Sequence, residues 1–328
     1  MLRAMPKAIR FYANGGPEVL KFEEFDPPKP ARGEVQLRHT AIGVDYIDVY
    51  DRSGLYPVQL PSGLGREAAG VITALGPGVR GFRVGERVAY VHSTPGAYAE
   101  VRNVPAERLV KVPRGISDEA AAALMLKGLT AHYLIRRTFK VARGDTLLVH
   151  AAAGGVGLIL CQWARSLGAK VIGVVGSEAK AALAQRNGCR HVLISGRDEL
   201  LAGVKALTKG EGVAVVYDSV GKDTFMESLD CLKRLGMMVS YGNASGPPPV
   251  ISPLELSKRG SLFLTRPLLF NYIATRAELA QGARELFAAV RARKIRVLIG
   301  QRYPLAEAAE AHRDLEARRT TGSTVLVP

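Results

Sequence analysis

Apolar and polar residues alternate with a period of two through much of the stretch from Lys7 to Val112, and the pattern changes beyond it. Segments such as Glu34-Val35-Gln36-Leu37-Arg38 alternate as half-buried strands do, and turns such as Gly15-Gly16-Pro17 and Pro27-Pro28-Lys29-Pro30 separate them. A small barrel or twisted sheet is predicted, with further strands at 69–75, 87–91 and 98–101. One short helix interrupts it at 45–52, before the turn Ser53-Gly54-Leu55-Tyr56-Pro57. The Ala-rich segment 118–125 reads as a helix, with the Ser117 hydroxyl available to accept from a first-turn N–H. It leads to Lys127-Gly128-Leu129-Thr130-Ala131, read as the passage between two domains.

From about 138 to 266 short apolar runs alternate with helical spacing. Strands are predicted at 147–149, 171–175, 191–194, 214–218, 237–241 and 262–265, with helices starting at Val156, Glu178, Glu199 and Asp223. Six strands with intervening helices predict a doubly wound parallel sheet. The tail reads as helix 279–293, extended 296–303, helix 305–318 and extended 324–327.

The stretch from Asp145 to Gly157 organises the second half. A strand runs into Gly154-Gly155-Val156-Gly157 and directly on into a helix, and another strand follows at the distance a βαβ unit requires. Glycine lets the chain turn without a Cβ and lets a diphosphate approach the backbone, while the free N–H groups and dipole of the helix start form an anion site. The spacing differs from G-x-G-x-x-G, so the strand and helix on either side carry the reading.

Composition narrows the class. The chain has 328 residues, 47% of them hydrophobic and 23% charged, which is globular and long enough for two cores. The first residues, Met1 to Lys7, lack the apolar core of a secretion signal, and no apolar run is long enough to cross a bilayer. Cys161, Cys189 and Cys231 are scattered, which suits a reducing compartment, and a cytoplasmic location is expected. The net charge of +15 makes nucleic acid worth weighing as a partner. It is not favoured, because the basic residues are spread along the chain without interleaved aromatics.

Several phrases carry a resemblance. Ala151 through Gly157 has the form A-x-x-G-G-V-G; Pro61 through Gly70 and Phe82 through Val88 resemble the signature of a GroES-like catalytic domain. Arg52-Ser53-Gly54-Leu55-Tyr56-Pro57, Lys127-Gly128-Leu129-Thr130, Val216 through Gly221 and Gly260 through Pro267 match as well. Together they resemble the zinc-free medium-chain dehydrogenases/reductases, in particular the zeta-crystallin-like NADPH:quinone oxidoreductases of bacteria. The resemblance implies an α/β fold: a GroES-like, partly open β-barrel domain at 1–126, completed by 268–328, and a Rossmann domain at 127–267. The tail should fold back onto the first domain. Homodimers are implied, the sixth strand at Leu262-Phe263-Leu264 extending a sheet across a two-fold axis.

By the same resemblance NADPH is the cofactor, with Asp45, Tyr46 and Thr130 near the nicotinamide and its ribose, and Gly154, Gly155 and Val156 at the diphosphate. Gly176, Ser177 and Lys180 should hold the adenosine end. Ser219, Tyr241, Gly242, Asn243 and Ala244 lie at strand ends, Leu264 and Arg266 border the nicotinamide, and Arg318 reaches in from the tail. Tyr46 is the candidate to hydrogen-bond a quinone oxygen in a cleft between the domains. Three departures stand out: Asp45 replaces the Asn of bacterial relatives, and His132 and Ser195 each replace a Tyr, the second near the adenosine 2′-phosphate.

The residues themselves bear on cofactor and metal. An NAD site places an acid at the end of the second strand, whereas this chain has Gly176-Ser177-Glu178-Ala179-Lys180 there, which favours NADPH. Glu178, of the wrong sign, reads as a first-turn residue complementing the helix dipole and pointing to solvent. Where zinc-dependent relatives have G-H-E, this chain has Gly65-Arg66-Glu67, and no Cys precedes 161, so no zinc site can be built. His39, His92, His132, His150, His191 and His312 show no ligand spacing and read mostly as core or surface residues. Without a Lewis acid, a substrate that takes reducing equivalents with little assistance is expected: a quinone, or alternatively an enone. An RNA-binding or non-catalytic role is the remaining alternative, and hydride against single-electron transfer stays open.

Overall fold

The computed structural model describes residues 5–328; Met1 to Ala4, part of the stretch read above for a secretion signal, lie outside the described residues. The first part of the chain forms β1 (Lys7–Phe11), β2 (Lys21–Glu24), β3 (Glu34–Val44), α1 (Tyr46–Ser53), β4 (Ser62–Gly63), β5 (Glu67–Leu75), β6 (Arg87–Val91), β7 (Val101–Pro105), β8 (Leu109–Lys111), α2 (Asp118–Ala122) and α3 (Met125–Tyr133). Strand and helix then alternate through β9 (Thr146–Val149), α4 (Gly155–Ser166), β10 (Lys170–Val175), α5 (Glu178–Arg186), β11 (His191–Ile194), α6 (Leu200–Leu207), β12 (Val213–Asp218), α7 (Phe225–Asp230), β13 (Leu232–Ser240), α8 (Leu254–Lys258) and β14 (Phe263–Thr265). The chain ends in α9 (Leu269–Tyr272), α10 (Arg276–Arg291), β15 (Ile299–Pro304), α11 (Ala308–Glu316) and β16 (Ser323–Val327).

Two units result. One takes the chain through Leu129 with Ile273–Ala288 and Val297–Pro328, and the other Thr130–Tyr272 with Ala289–Arg296. In the first, a sheet of order β15-β16-β3-β5-β6-β8, with β7 also on β3, accompanies a three-stranded sheet β2-β1-β4. Alternation buries Val35 and Leu37 of β3, and after a register shift between His39 and Ala41 it is Ile42 that joins them beside Ile72, Tyr90 and Leu109. In the tail, β16 runs antiparallel to β3 with Leu326 opposite Ile42, whereas Ala289–Arg296 groups with the second unit. Leu305, Ala308 and Ala311 complete that core.

The strand expected at 98–101 is displaced to β7. Tyr98 instead exchanges backbone bonds with its surroundings, donating to Leu64 O at 2.8 Å and accepting from the Ile9 N–H at 2.8 Å. Those bonds satisfy its backbone outside the main ladder, and regular pairing with β3 begins only at Val101. The helix expected at 118–125 ends at Ala122, and α3 starts at Met125; Ser117 caps α2 by accepting from the Ala120 N–H at 3.1 Å.

The second unit is a six-stranded sheet of order β11-β10-β9-β12-β13-β14, parallel throughout. Leu147, Leu148 and Val149 are fully buried, as expected where helices cover both faces of a parallel sheet. The order reverses direction between β9 and β12, so ligand-binding loops belong at the carboxyl ends of these strands. Among the described residues no helix is long and apolar enough to cross a membrane.

Gly157 sets the distance between β9 and α4. A Cβ there would stand 2.3 Å from Ala151 O and 2.8 Å from Ala152 Cα, both backbone atoms that cannot rotate away. Gly157→Ala should therefore lower the stability of the chain by about 1–3 kcal/mol, seen as a lower midpoint in urea unfolding. An unchanged midpoint would mean that the bend has slack.

Candidate active site

The bend after β9 is built as an anion cradle. Ala151 has φ +49°, Gly154 is the extended N-cap of α4, and no side chain caps that helix, so the first N–H groups of Gly155 and Val156 face outward from its start. Around it the strand-end loops interlock. Asp218, buried at the end of β12, accepts from the N–H groups of Val220 (2.7 Å) and Gly221 (3.2 Å) and from the Thr224 hydroxyl (2.9 Å), which fixes the loop carrying Ser219. Ala244 N–H donates to Ser219 O at 3.2 Å, and a Cβ on Gly242 would meet that same oxygen at 2.4 Å. The Tyr241 phenol bonds to Ser219, and burial raises its pKa. Arg266 donates to Gly242 O at 3.0 Å, so its guanidinium braces the loop after β13, while Leu264 is partly exposed on the edge strand β14. Asn243 and Thr130 are buried.

At the adenosine end, β10 and β11 lie side by side with Val175 opposite Ile194, and Ser195 N–H donates to Val175 O at 2.8 Å. Gly176 has open space where a side chain would be, and Ser177 caps α5, its hydroxyl accepting from Lys180 N–H at 3.4 Å. Glu178 is exposed, as expected, but does more than complement the dipole: it forms an ion pair with Arg197. Sequence reasoning passed over Arg197, because the loop after β11 carried no motif.

Asp45, Tyr46 and Arg318 belong to the first unit, and Thr130 with the remaining candidates to the second. Asp45 follows β3 directly and caps α1: its N–H donates to the Asp48 carboxylate at 2.9 Å. Its own carboxylate meets Lys127 Nζ at 2.8 Å, and that ammonium also contacts Glu67 at 2.7 Å. All three are buried. Burial alone would lower the Lys127 pKa, but the two carboxylates outweigh it and raise it above the ordinary range. Burial and the Asp45 charge push the Glu67 carboxyl well upward, against the pull of Lys127 and the Leu126 N–H. Glu67 lies over Gly43, where a Cβ would be 2.1 Å from its carboxylate oxygen.

A second buried chain of hydrogen bonds holds α1 to α11. Arg52 Nη2 donates to Glu316 at 2.7 Å and Nη1 lies 3.0 Å from His312 Nδ1. A guanidinium can only donate, so Nδ1 accepts and the imidazole proton sits on Nε2. That proton points to the Tyr98 oxygen at 3.1 Å, and the Tyr98 hydroxyl donates to Asp48 at 2.9 Å. His312 is thus no isolated core histidine. The frame fixes the start of α1 and with it Tyr46, whose phenol pKa is raised by burial and by Glu316, with Arg318 and Arg52 opposing. Tyr46 therefore stays protonated, able to donate a hydrogen bond.

A catalytic zinc does not fit. Arg66 stands in the position expected for His and is locked to buried Asp51 by two bonds of 2.9 Å. The nearby acids Asp45 and Glu67 already enclose the Lys127 ammonium, and among the described residues no three His, Cys, Asp or Glu side chains are grouped to hold a metal. Glu67, Lys127, Asp48, Arg52, Tyr98 and His312 were not singled out as site residues by sequence reasoning, although Arg52, Glu67 and Lys127 stand inside phrases that carried the resemblance.

Known proteins share this architecture. The alcohol dehydrogenase GroES-like domain profile matches residues 31–114, and the zinc-binding dehydrogenase profile matches 155–286. A quinone oxidoreductase of Pseudomonas aeruginosa is 51% identical, covering 99% of this chain and 100% of its own length. The crystal structure of Escherichia coli quinone oxidoreductase complexed with NADPH superimposes with a TM-score of 0.96 at 48% identity, over 98% of this chain and 100% of that one. A 2-haloacrylate reductase of a Burkholderia species is 46% identical over 99% of each chain.

The His312 frame has a pH signature. Burial and the Arg52 charge hold its pKa down to about 3, so the folded chain keeps it neutral while the unfolded chain protonates it below the usual value near 6.5. Its stabilising contribution is present above that value and is lost as pH falls toward the folded one. Comparing the native chain with His312→Gln, the difference in unfolding free energy should narrow by roughly 2 kcal/mol between about pH 8 and pH 5. A difference independent of pH would mean that the fold does not shift the imidazole's pKa, and one that widens toward acid would mean that the imidazole is protonated in the fold. Lys127→Met should cost about 3–5 kcal/mol by leaving two buried acids without their cation, and a loss below about 1 kcal/mol would contradict the cluster.

Proposed function

Since the chain belongs to the zinc-free quinone oxidoreductase family of medium-chain dehydrogenases/reductases, we propose that it reduces quinones with NADPH. The observation that carries the cofactor reading is the strand-end geometry of the second unit: an uncapped glycine bend before α4, and no acid closing β10. Gly154, Gly155 and Val156 would take the diphosphate on backbone N–H groups. Gly176, Ser177 and Lys180 would take the adenosine end, where a 2′-phosphate meets a hydroxyl and an ammonium. Bound reduced nicotinamide supplies the two electrons and one hydrogen that, with a proton from water, turn a quinone into a hydroquinone.

The chain's own contribution is positioning and water exclusion. The protonated Tyr46 phenol donates to the quinone oxygen as negative charge builds on it, and the Asp45–Lys127–Glu67 cluster keeps the start of α1 rigid. Asp45 faces its ion partner Lys127, an ammonium that it shares with Glu67. Thr130, Ser219, Tyr241, Gly242, Asn243, Ala244, Leu264, Arg266 and Arg318 make up the rest of the assigned nucleotide surroundings. The edge strand β14, with Phe263 exposed, is the assigned contact of a homodimer, and three buried free cysteines suit a cytoplasmic setting. The near full-length similarity to a 2-haloacrylate reductase favours activated alkenes as a second substrate class.

The test is loss of reduced-nicotinamide absorbance with NADPH against quinones, a haloacrylate and cyclic enones. Turnover should be fastest with quinones; no turnover with any quinone would contradict the proposal. Lys180→Ala should raise the KM for NADPH about tenfold and leave that for NADH nearly unchanged. Equal shifts for both nucleotides would mean that Lys180 does not meet the phosphate. Tyr46→Phe should lower quinone kcat/KM several-fold without changing NADPH affinity.

A further inference from the structure

Arg197 sits three residues past the end of β11, next to the end of β10 and the start of α5. Only the small residues Ser195 and Gly196 stand between it and the strand, and its guanidinium reaches Glu178, two residues past Gly176. Its guanidinium is divided between two acids. The Nε and Nη2 side faces Asp198, at 2.9 and 3.2 Å. Asp198 is itself held by the Ile194 N–H at 2.7 Å, so it aims the guanidinium from a fixed point. The remaining edge, Nη1, is paired with Glu178 at the first turn of α5.

That second pair is exposed: the Arg197 side chain is 55% and the Glu178 side chain 76% accessible. An exposed pair of this kind holds its partners weakly, and a phosphate dianion offers a guanidinium more charge and more acceptor oxygens than one carboxylate does. The loop also lacks an aromatic residue at Ser195 that could stack on an adenine.

Building on the NADPH reading above, we propose that Arg197 is a specificity-determining residue for the 2′-phosphate, and that Glu178 is the stand-in anion the phosphate displaces. Asp198 keeps the guanidinium in place during the exchange, and Glu178, whose carboxylate already reaches solvent, turns out to water. Phosphate recognition on this chain then rests on two cations, Lys180 from the helix and Arg197 from the neighbouring loop. Glu178 acts as a brake, lowering affinity for the phosphate that it must give way to.

The experiment is calorimetric titration of the full chain with 2′,5′-ADP and with 5′-AMP, which differ by that phosphate and need no turnover. The native chain should bind 2′,5′-ADP more tightly. Arg197→Ala should weaken 2′,5′-ADP about tenfold or more, leave 5′-AMP unchanged and leave the melting temperature within a degree or so, since the residue is exposed. Arg197→Lys should recover part of the loss, and Glu178→Gln should tighten 2′,5′-ADP alone. If the native chain prefers 2′,5′-ADP and Arg197→Ala keeps the same preference, or weakens both nucleotides alike, the role of Arg197 is overturned while the cofactor reading stands. If the native chain shows no preference at all, both are overturned.

Discussion

The approach of α4 to its own strand is the constraint from which the rest of the second unit follows. At Gly157 the backbone of the helix comes so near to Ala151 and Ala152 that a single methyl group cannot enter. The contact fixes where α4 begins, and the absence of a side-chain cap leaves its first N–H groups for something else to satisfy. The neighbouring loops are then built to surround that spot. Asp218 spends its carboxylate on three donors of its own loop, and Gly242 packs on Ser219 where a Cβ would collide. These loops are stiff for reasons visible in their bonds, which is what a pre-organised nucleotide site requires.

The first unit solves a different problem, that of burying charge without a metal. Arg66 with Asp51 is one closed pair, and Lys127 with Asp45 and Glu67 is a cluster of one cation and two acids. Such groups are costly to take from water and need partners, and each acid here is held through one oxygen at least, although Asp45 Oδ2 and Asp48 Oδ1 are buried without a hydrogen bond among the described residues. Here they tie the end of β3, the start of β5 and α3 together, while the Arg52–His312–Tyr98–Asp48 chain ties α1 to α11. Asp45, where the resemblance implied Asn, is held within the unit by Lys127, an ammonium that it shares with Glu67.

Much of this was legible in the letters, and what was not shares one cause. The strands of the parallel sheet could be found because burial on both faces leaves short apolar runs, and the bend because only glycine fits there. Local chemistry also gave the Ser117 cap, whereas Ser177, read only as a contact of the adenosine end, proves to cap α5 as well. Lys127 was read as part of a connecting phrase, since its partners are 82 and 60 positions away in sequence and nothing nearby marks it as buried. His312 looked like one of several unremarkable histidines until the fold brought Arg52 and Tyr98 to its two nitrogens. The strand misplaced at 98–101 failed likewise: Tyr98 has the right side chain for a ladder, but its backbone is claimed by Leu64 and Ile9.

The central claim is that a dinucleotide phosphate lies on the backbone of the bend before α4, and hydrogen–deuterium exchange addresses it most directly because it reads those N–H groups themselves. Exchange would be followed by mass spectrometry on the full chain with and without saturating NADPH. The account predicts slowed exchange in peptides covering 151–158, together with slowing at 176–180, where the adenosine end should rest. Unchanged exchange at 151–158 under saturating nucleotide would contradict it, whatever happened elsewhere in the chain.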